Sequence, residues 1–171
     1  MRRTALFLTA AALVACAANL SAQGTNFSGT WTRDTTGMGA MMGGGGGGGG
    51  GRMGGGGAAP MTITQDAKTL TIARTMGGME MKTVYNLDGS DSKNTGMGRG
   101  GNPGTEQISN ATWAGATLSI ATKRTMQDGS TSVVTAVYSL DATGKVLSVA
   151  TTAPGRNGGD PTTTTAKYNK N

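Results

Sequence analysis

The chain has 171 residues, of which 36% are hydrophobic and only 4% aromatic, and its formal net charge is +6. This length suits one domain and is too short for two. There is no histidine, and Cys16 is the only cysteine. The composition therefore excludes Ser-His-Asp and Cys-His catalysis, histidine-ligated metal sites and an intrachain disulfide.

The charged residues are spread along the chain without runs of one sign. Two of the 15 basic residues, Arg2 and Arg3, lie in the N-terminal signal described next. A nucleic-acid interface needs clustered basic side chains. The sequence therefore predicts no nucleic-acid partner.

Residues 1–22 have the pattern of an export signal. Arg2 and Arg3 form a positive start, and the eleven residues from Ala5 to Ala15 are apolar. An apolar run of this length is too short to span a bilayer and is typical of a signal peptide. We expect a chain exported to the periplasm or the outer membrane, or secreted.

Two cleavage sites compete within this signal. Leu13-Val14-Ala15-Cys16 matches the bacterial lipobox, in which the cysteine becomes the lipidated first residue. Cleavage after Ala22 would instead give a plain start at Gln23. Only the first alternative attaches the protein to a membrane, through a lipid on Cys16. Neither alternative gives a disulfide.

A Gly/Met segment at 36–59 interrupts the mature domain, which we place at 24–171. Apart from Arg52 and a few small residues, this segment contains only glycine and methionine. Such a composition buries too little apolar area to offset the entropy lost on ordering glycine. We expect this segment to be disordered.

The same segment raises a metal hypothesis. Its thioethers, at Met38, Met41, Met42 and Met53, are soft ligands of the kind that Cu(I) and Ag(I) prefer. The alternative is that methionine merely replaces other apolar residues in a low-complexity tract. No other metal and no organic cofactor is predicted.

The remainder of the mature chain predicts an all-β domain. Threonine, serine, valine and isoleucine dominate, and short alternating runs are separated by turn residues. The predicted strands cover 26–33, 61–65, 69–76, 79–87, 105–113, 117–125, 131–140, 145–152 and 162–169, with a weaker tenth at 91–95 and a second glycine loop at 96–104. This spacing is typical of an antiparallel up-and-down meander of eight to ten strands, in a barrel, a near-closed barrel or a sandwich.

The carboxylates favour a non-catalytic protein. Four of them, Asp66, Asp88, Asp128 and Asp141, fall in predicted turns, where aspartate is a common turn former. Only Glu80 and Glu106 lie on or beside predicted strands, so no pair faces across a cleft as a glycosidase would require. We expect the protein not to be an enzyme.

An internal repeat supports the meander. Residues 69–73 recur as 117–121, residues 74–76 as 124–126, and residues 84–88 as 137–141. Two copies of one hairpin unit imply two similar segments of one continuous sheet.

The first strand carries a family resemblance. Gly29-Thr30-Trp31 resembles the Gly-x-Trp signature of lipocalins, the ligand-binding β-barrels of the calycin group. The resemblance implies that Trp31 plugs the closed end of a barrel and that a basic side chain from the last strand, Lys167 or Lys170, packs on its ring. It also places the Gly/Met segment where lipocalins carry a lid. The second lipocalin motif and the C-terminal helix are absent.

The repeat also brings two arginines and two tyrosines to predicted inward positions. Arg74 and Arg124 share strand parity with inward aliphatic residues, as do Tyr85 and Tyr138. Fatty-acid-binding relatives of lipocalins hold a ligand carboxylate with such a cluster, so the resemblance implies a binding site for these four residues. Alternatively, both arginines extend to solvent at the barrel rim.

These observations support two main hypotheses. In the first, the domain is an exported lipocalin-like module that binds a small apolar, amphipathic or fatty-acid-like ligand. In the second, it is a structural or accessory envelope protein whose barrel is filled. Binding of Cu(I) or Ag(I) by the methionines is a third possibility, and the oligomeric state is left open.

Export predicts a shortened mature chain. Protein purified from its native envelope should lack residues 1–15 or 1–22. Intact-mass measurement distinguishes a diacylglyceryl Cys16 from a plain Gln23 start. A full-length product in the cytoplasm would contradict both alternatives.

Overall fold

The computed structural model describes residues 24–36, 60–76, 78–97, 103–125, 129–155 and 158–171. The predicted export signal, Cys16 and nearly all of the Gly/Met segment lie outside these ranges. The described residues contain no α-helix, and hence none long and apolar enough to cross a membrane.

Ten antiparallel strands form one sheet. They are β1 (Gly29–Arg33), β2 (Met61–Gln65), β3 (Thr69–Met76), β4 (Met79–Asn86), β5 (Ser92–Met97), β6 (Pro103–Ala114), β7 (Thr117–Thr125), β8 (Thr131–Leu140), β9 (Val146–Ala153) and β10 (Thr162–Lys170). Their order is β4-β3-β2-β1-β10-β9-β8-β7-β6-β5. Each strand therefore pairs with its sequence neighbours except at β4–β5, and β1 pairs with β10. This is the predicted up-and-down meander, curved into a nearly closed barrel.

Side chains hold the two ends of the sheet together where no backbone ladder joins them. The Asn94 amide on β5 accepts a hydrogen bond from the Val84 backbone N–H (2.9 Å) and donates one to the Val84 carbonyl (2.8 Å). Beside it, the Asn86 N–H donates to the Ser92 hydroxyl at 2.7 Å. Because these bonds satisfy backbone groups on the edge of β4, the barrel closes without an eleventh pairing.

Two predictions about β5 and its surroundings need correction. The weak strand is real and extends to Met97, and β6 begins at Pro103, so the predicted glycine loop at 96–104 is largely strand. A Cβ on Gly96 would lie 2.3 Å from the Gln107 side-chain amide. Glycine therefore stands in this strand to admit Gln107 rather than to form a loop, and the register shifts here as in a bulge.

The first strand is shorter than predicted, because residues 24–28 cross the closed end of the barrel. Gln65 on β2 anchors this segment: its side chain accepts a bond from the Phe27 N–H (2.9 Å) and donates one to the Thr25 carbonyl (3.1 Å). The Thr25 hydroxyl then reaches Ala116 in the β6–β7 turn at 2.7 Å. We call residues 24–28 the plug segment.

The plug segment completes an aromatic cluster at the closed end. Phe27 stacks on Trp113, with ring centroids 5.9 Å apart, and meets the edge of Tyr138 at 6.2 Å. The Trp31 indole N–H donates to the Phe27 carbonyl at 3.0 Å, and both residues are fully buried. The closed end is therefore filled by large side chains, with the indole N–H satisfied inside the core.

Lys170 on β10 supplies the basic side chain that the lipocalin resemblance implies. It lies directly opposite Trp31 in the β1–β10 register, and its ammonium nitrogen is 5.3 Å from the centre of the indole ring. Gly29 has a φ of +148°, and a Cβ there would lie 2.7 Å from the Lys170 Cε. The glycine of Gly-x-Trp thus leaves room for the lysine to lie over the tryptophan.

Three of the four turn aspartates are confirmed as turn formers, and Asp128 lies outside the described residues. Asp66 accepts bonds from the N–H groups of Lys68 and Thr69, and Asp88 accepts bonds from Ser90. Asp141 accepts bonds from the Thr143 hydroxyl and from two backbone N–H groups that follow it. Hydrogen bonds to the charged form lower the pKa of all three carboxyl groups.

Gly29→Ala should destabilise the barrel more than an alanine placed at another glycine with positive φ. Gly115 also has positive φ (+60°) but open space around a Cβ, so Gly115→Ala should cost about 1–2 kcal/mol of backbone strain alone. Gly29→Ala adds the contact with Lys170, and we expect a loss of about 2–4 kcal/mol. Urea unfolding measures both. Equal losses would show that the lysine does not occupy this space.

Candidate functional site

The barrel encloses a cavity of about 310 Å³ above the filled closed end. Its floor consists of the aliphatic side chains of Ile72, Ile120 and Val149 together with Tyr138. Its upper wall is more polar and includes Thr83, Thr122, Thr151 and Gln107, besides two arginines. The volume lies at the lower end of the range for small-molecule sites, roughly 300–1,000 Å³.

The structure places all four predicted site residues on this cavity. Arg74 reaches it from β3, Tyr85 from β4, Arg124 from β7 and Tyr138 from β8. No sequence neighbours are involved, so only the curvature of the sheet brings the four together. Whether they bind a ligand stays a prediction.

The repeat explains the positions of the two tyrosines. In the β3–β4 hairpin, Tyr85 lies directly opposite Leu70, and in the β7–β8 hairpin, Tyr138 lies directly opposite Leu118. Both leucines are completely buried. Equivalent cross-strand pairs thus turn both phenol rings toward the interior.

The two arginines are not equivalent in this repeat. Arg74 follows Leu70 by four residues, whereas Arg124 follows Leu118 by six. The structural counterpart of Arg74 is Thr122, whose hydroxyl bonds to the Ser109 hydroxyl at 2.9 Å. Arg124 therefore starts one residue pair, about 7 Å, farther along its strand toward the mouth.

The burial of the arginines differs accordingly. Arg74 is exposed, and its guanidinium donates to the Met61 sulfur at 3.0 Å. Arg124 is half-buried with a buried Nε, and it lies opposite Gln107 and Ser132 in the β6–β7–β8 register. Both predicted interpretations thus contain part of the answer: the arginines lie near the rim and also line the cavity.

The phenols lie within the electrostatic reach of these arginines. Burial raises the pKa of Tyr85, and the positive charges of Arg74 and Arg124 partly oppose this rise. Burial also raises the pKa of Tyr138, with repulsion from Tyr85 adding to the rise and Arg74 opposing it. Both phenols are therefore neutral hydrogen-bond donors at physiological pH.

The residues that line the cavity include two cations and no carboxylate. Low-dielectric walls strengthen the field of these charges inside a cleft. The interior is therefore electropositive above an apolar floor. Such an arrangement suits a molecule with an anionic group at one end and an apolar body at the other.

Sequence reasoning missed two residues of the site. Tyr168 lines the cavity from β10, directly opposite Arg33 on β1, and Gln107 lines it from β6. Neither belongs to the internal repeat, which was the signal used to find the other four. Strand parity with Ala166, which also lines the cavity, would have indicated Tyr168.

The methionine hypothesis remains a prediction, because Met38, Met41, Met42 and Met53 lie outside the described residues. Of the methionines that are described, Met61 is buried in the core, Met81 is half-buried on the cavity wall, and Met79 is exposed.

The raised tyrosine pKa values predict a loss of stability in alkali. An unfolded tyrosine ionises near pH 10, whereas Tyr85 and Tyr138 keep their protons to higher pH in the folded state. Their contribution is thus fully present below about pH 10 and is lost as pH rises further, by up to about 1.4 kcal/mol per pH unit for each phenol.

Urea unfolding at several alkaline pH values, together with tyrosinate absorbance of the native protein, measures this effect. Tyr138→Phe should flatten the pH dependence of the free energy of unfolding relative to wild type. Native absorbance showing all three tyrosines ionising near pH 10 would contradict the raised values.

Comparisons with known proteins bear on the fold. The sequence matches no protein-family model, and no curated protein matches it. Among solved structures, the chain is similar to a variant of the fluorescent protein UnaG, a calycin β-barrel. The TM-score is 0.50 at 17% identity, and the match covers 85% of this chain and 96% of the other. At this identity the likeness concerns the fold alone, and the protein has a calycin-like β-barrel fold.

Proposed function

We propose that this protein is an exported lipocalin-like carrier or receptor that binds a small amphipathic ligand with its anionic group toward Arg74 and Arg124. The observation that carries the proposal is the cavity itself, in which two arginines and two neutral phenols stand over an aliphatic floor. The calycin-like fold supports it, because barrels of this size can hold one small ligand.

The cavity also favours binding over the alternative of a filled structural barrel. A filled barrel would carry bulky side chains at the inward positions of its middle layers. Here those positions include Thr83, Thr122, Ala136 and Ala166, which leave space between the strands. Small inward residues above a filled closed end produce a pocket rather than a continuous core.

The charge of the site selects the ligand's head group. A carboxylate between two guanidinium groups makes charge-assisted hydrogen bonds, and the hydroxyls of Tyr85 and Tyr138 add neutral donors. Each such bond contributes roughly 1.5–3 kcal/mol. We therefore expect an organic acid to bind more tightly than the corresponding alcohol.

The export signal places this activity in the cell envelope under the proposal. With a lipidated Cys16 the barrel would be an outer-membrane lipoprotein, and with cleavage after Ala22 it would be periplasmic or secreted. Native mass spectrometry of protein purified from its own envelope would identify a co-purifying small molecule in either case.

Removing either arginine should weaken binding of an acid. Fluorescence titration with a fatty-acid probe should give an affinity about ten-fold lower or worse for Arg74→Ala and for Arg124→Ala than for wild type. Stability should change by only about 0–1 kcal/mol, because neither side chain is fully buried.

Lys123→Ala is the matched control. Lys123 is exposed and precedes Arg124 on β7, so its side chain points to the outer face. It removes the same charge without touching the cavity and should leave the affinity unchanged. If wild type does not bind the probe, or if both arginine variants bind as tightly as wild type, the site does not exist and the structural interpretation is the better one.

A further inference from the structure

The plug segment limits the depth of the cavity. Phe27, Trp31, Leu70 and Leu118 are all completely buried, and none of them lines the cavity. On β7 the cavity wall extends from Arg124 at the rim only to Ile120, which is four residues or about 13 Å. Below Ile120 the barrel is solid.

The volume restricts the ligand in the same way. A cavity of about 310 Å³ corresponds to about ten water molecules at their liquid volume of roughly 30 Å³ each. Covalently bonded atoms lie closer together than separate waters, so the space accommodates about 10 to 15 non-hydrogen atoms. A long-chain lipid acid exceeds this number.

From these two limits we infer that the site selects compact monocarboxylic acids, of the size of a medium-chain fatty acid, over long-chain lipids. This inference rests on the proposed function, because it takes the carboxylate to lie at Arg74 and Arg124. The tail then points down onto Ile72, Ile120 and Val149, and it ends at the ring of Tyr138.

Tyr138 forms this floor because the plug segment holds it. The Phe27 ring packs against Tyr138 with centroids 6.2 Å apart and against Trp113 on its other side. The same contacts that close the end of the barrel thus prevent the phenol from moving down to admit a longer tail. Ligand length is determined by the plug rather than by the residues that bind the head group.

A series of saturated fatty acids from hexanoate to hexadecanoate tests the inference by calorimetry on the mature protein. Each added methylene that enters the cavity should tighten binding about four-fold. We expect this gain to continue to decanoate or dodecanoate and then to stop. An affinity that keeps rising at the same rate through hexadecanoate would overturn the size selection while leaving the proposed function intact.

Ala136→Leu provides the internal test. Ala136 lines the cavity, so the larger side chain should move the end of the gain to an acid two or three carbons shorter. Ala121→Leu is the matched control, because Ala121 alternates with the buried residues of β7 and faces outward. Should Ala136→Leu fail to fold, Ala166→Val removes cavity volume from β10 and should shift the limit in the same direction.

The two proposals fail differently. If no acid in the series binds wild-type protein, the proposed function is wrong and the size selection falls with it. If acids bind but the limit is the same in wild type, Ala136→Leu and Ala166→Val, the tail does not lie in this cavity and the inference is overturned alone.

Discussion

The packing of Phe27 and Trp31 at one end of the barrel is the constraint on which the rest of the structure depends. Ten strands around a core with few aromatic residues would leave both ends open to water. The plug segment fills one end, with the Trp31 N–H bonded to the Phe27 carbonyl and Lys170 lying over the indole ring. Because these groups bury large apolar surfaces without leaving the indole N–H unsatisfied, the closed end supplies much of the hydrophobic stabilisation. The other end is then free to carry polar side chains.

This division of the barrel explains how arginines and tyrosines can line its interior. A buried cation costs free energy unless solvent or a partner compensates for it. Arg74 and Arg124 start near the mouth, where solvent still reaches them, whereas Tyr138 lies deep enough to be buried as a neutral group. The cavity therefore changes from electropositive at the mouth to apolar at the floor, and the polarity follows distance from the plug.

Much of the fold could be predicted from local pattern. Alternation of polar and apolar residues located β2, β3, β7 and β8 at their observed bounds, because these strands have one buried face and clear turns at both ends. Prediction failed at two glycines and one short segment. Gly96 belongs to a strand because a side chain from β6 packs against it, and Asn26 to Ser28 leave the strand because they cross the barrel end. Such contacts join residues distant in the sequence, and no local pattern records them.

The sequence by itself determined the all-β class, the meander order and the inward direction of Arg74, Tyr85, Arg124 and Tyr138, because strand parity and the internal repeat are local properties of the chain. Only the tertiary structure decided that these four side chains share one cavity, that Tyr168 and Gln107 join them, and that Lys170 rather than Lys167 covers Trp31. It also decided the depth of the cavity, which depends on where residues 24–28 cross the barrel. The physical reason is that curvature and end-packing arise from the whole sheet, whereas parity is set between neighbouring residues.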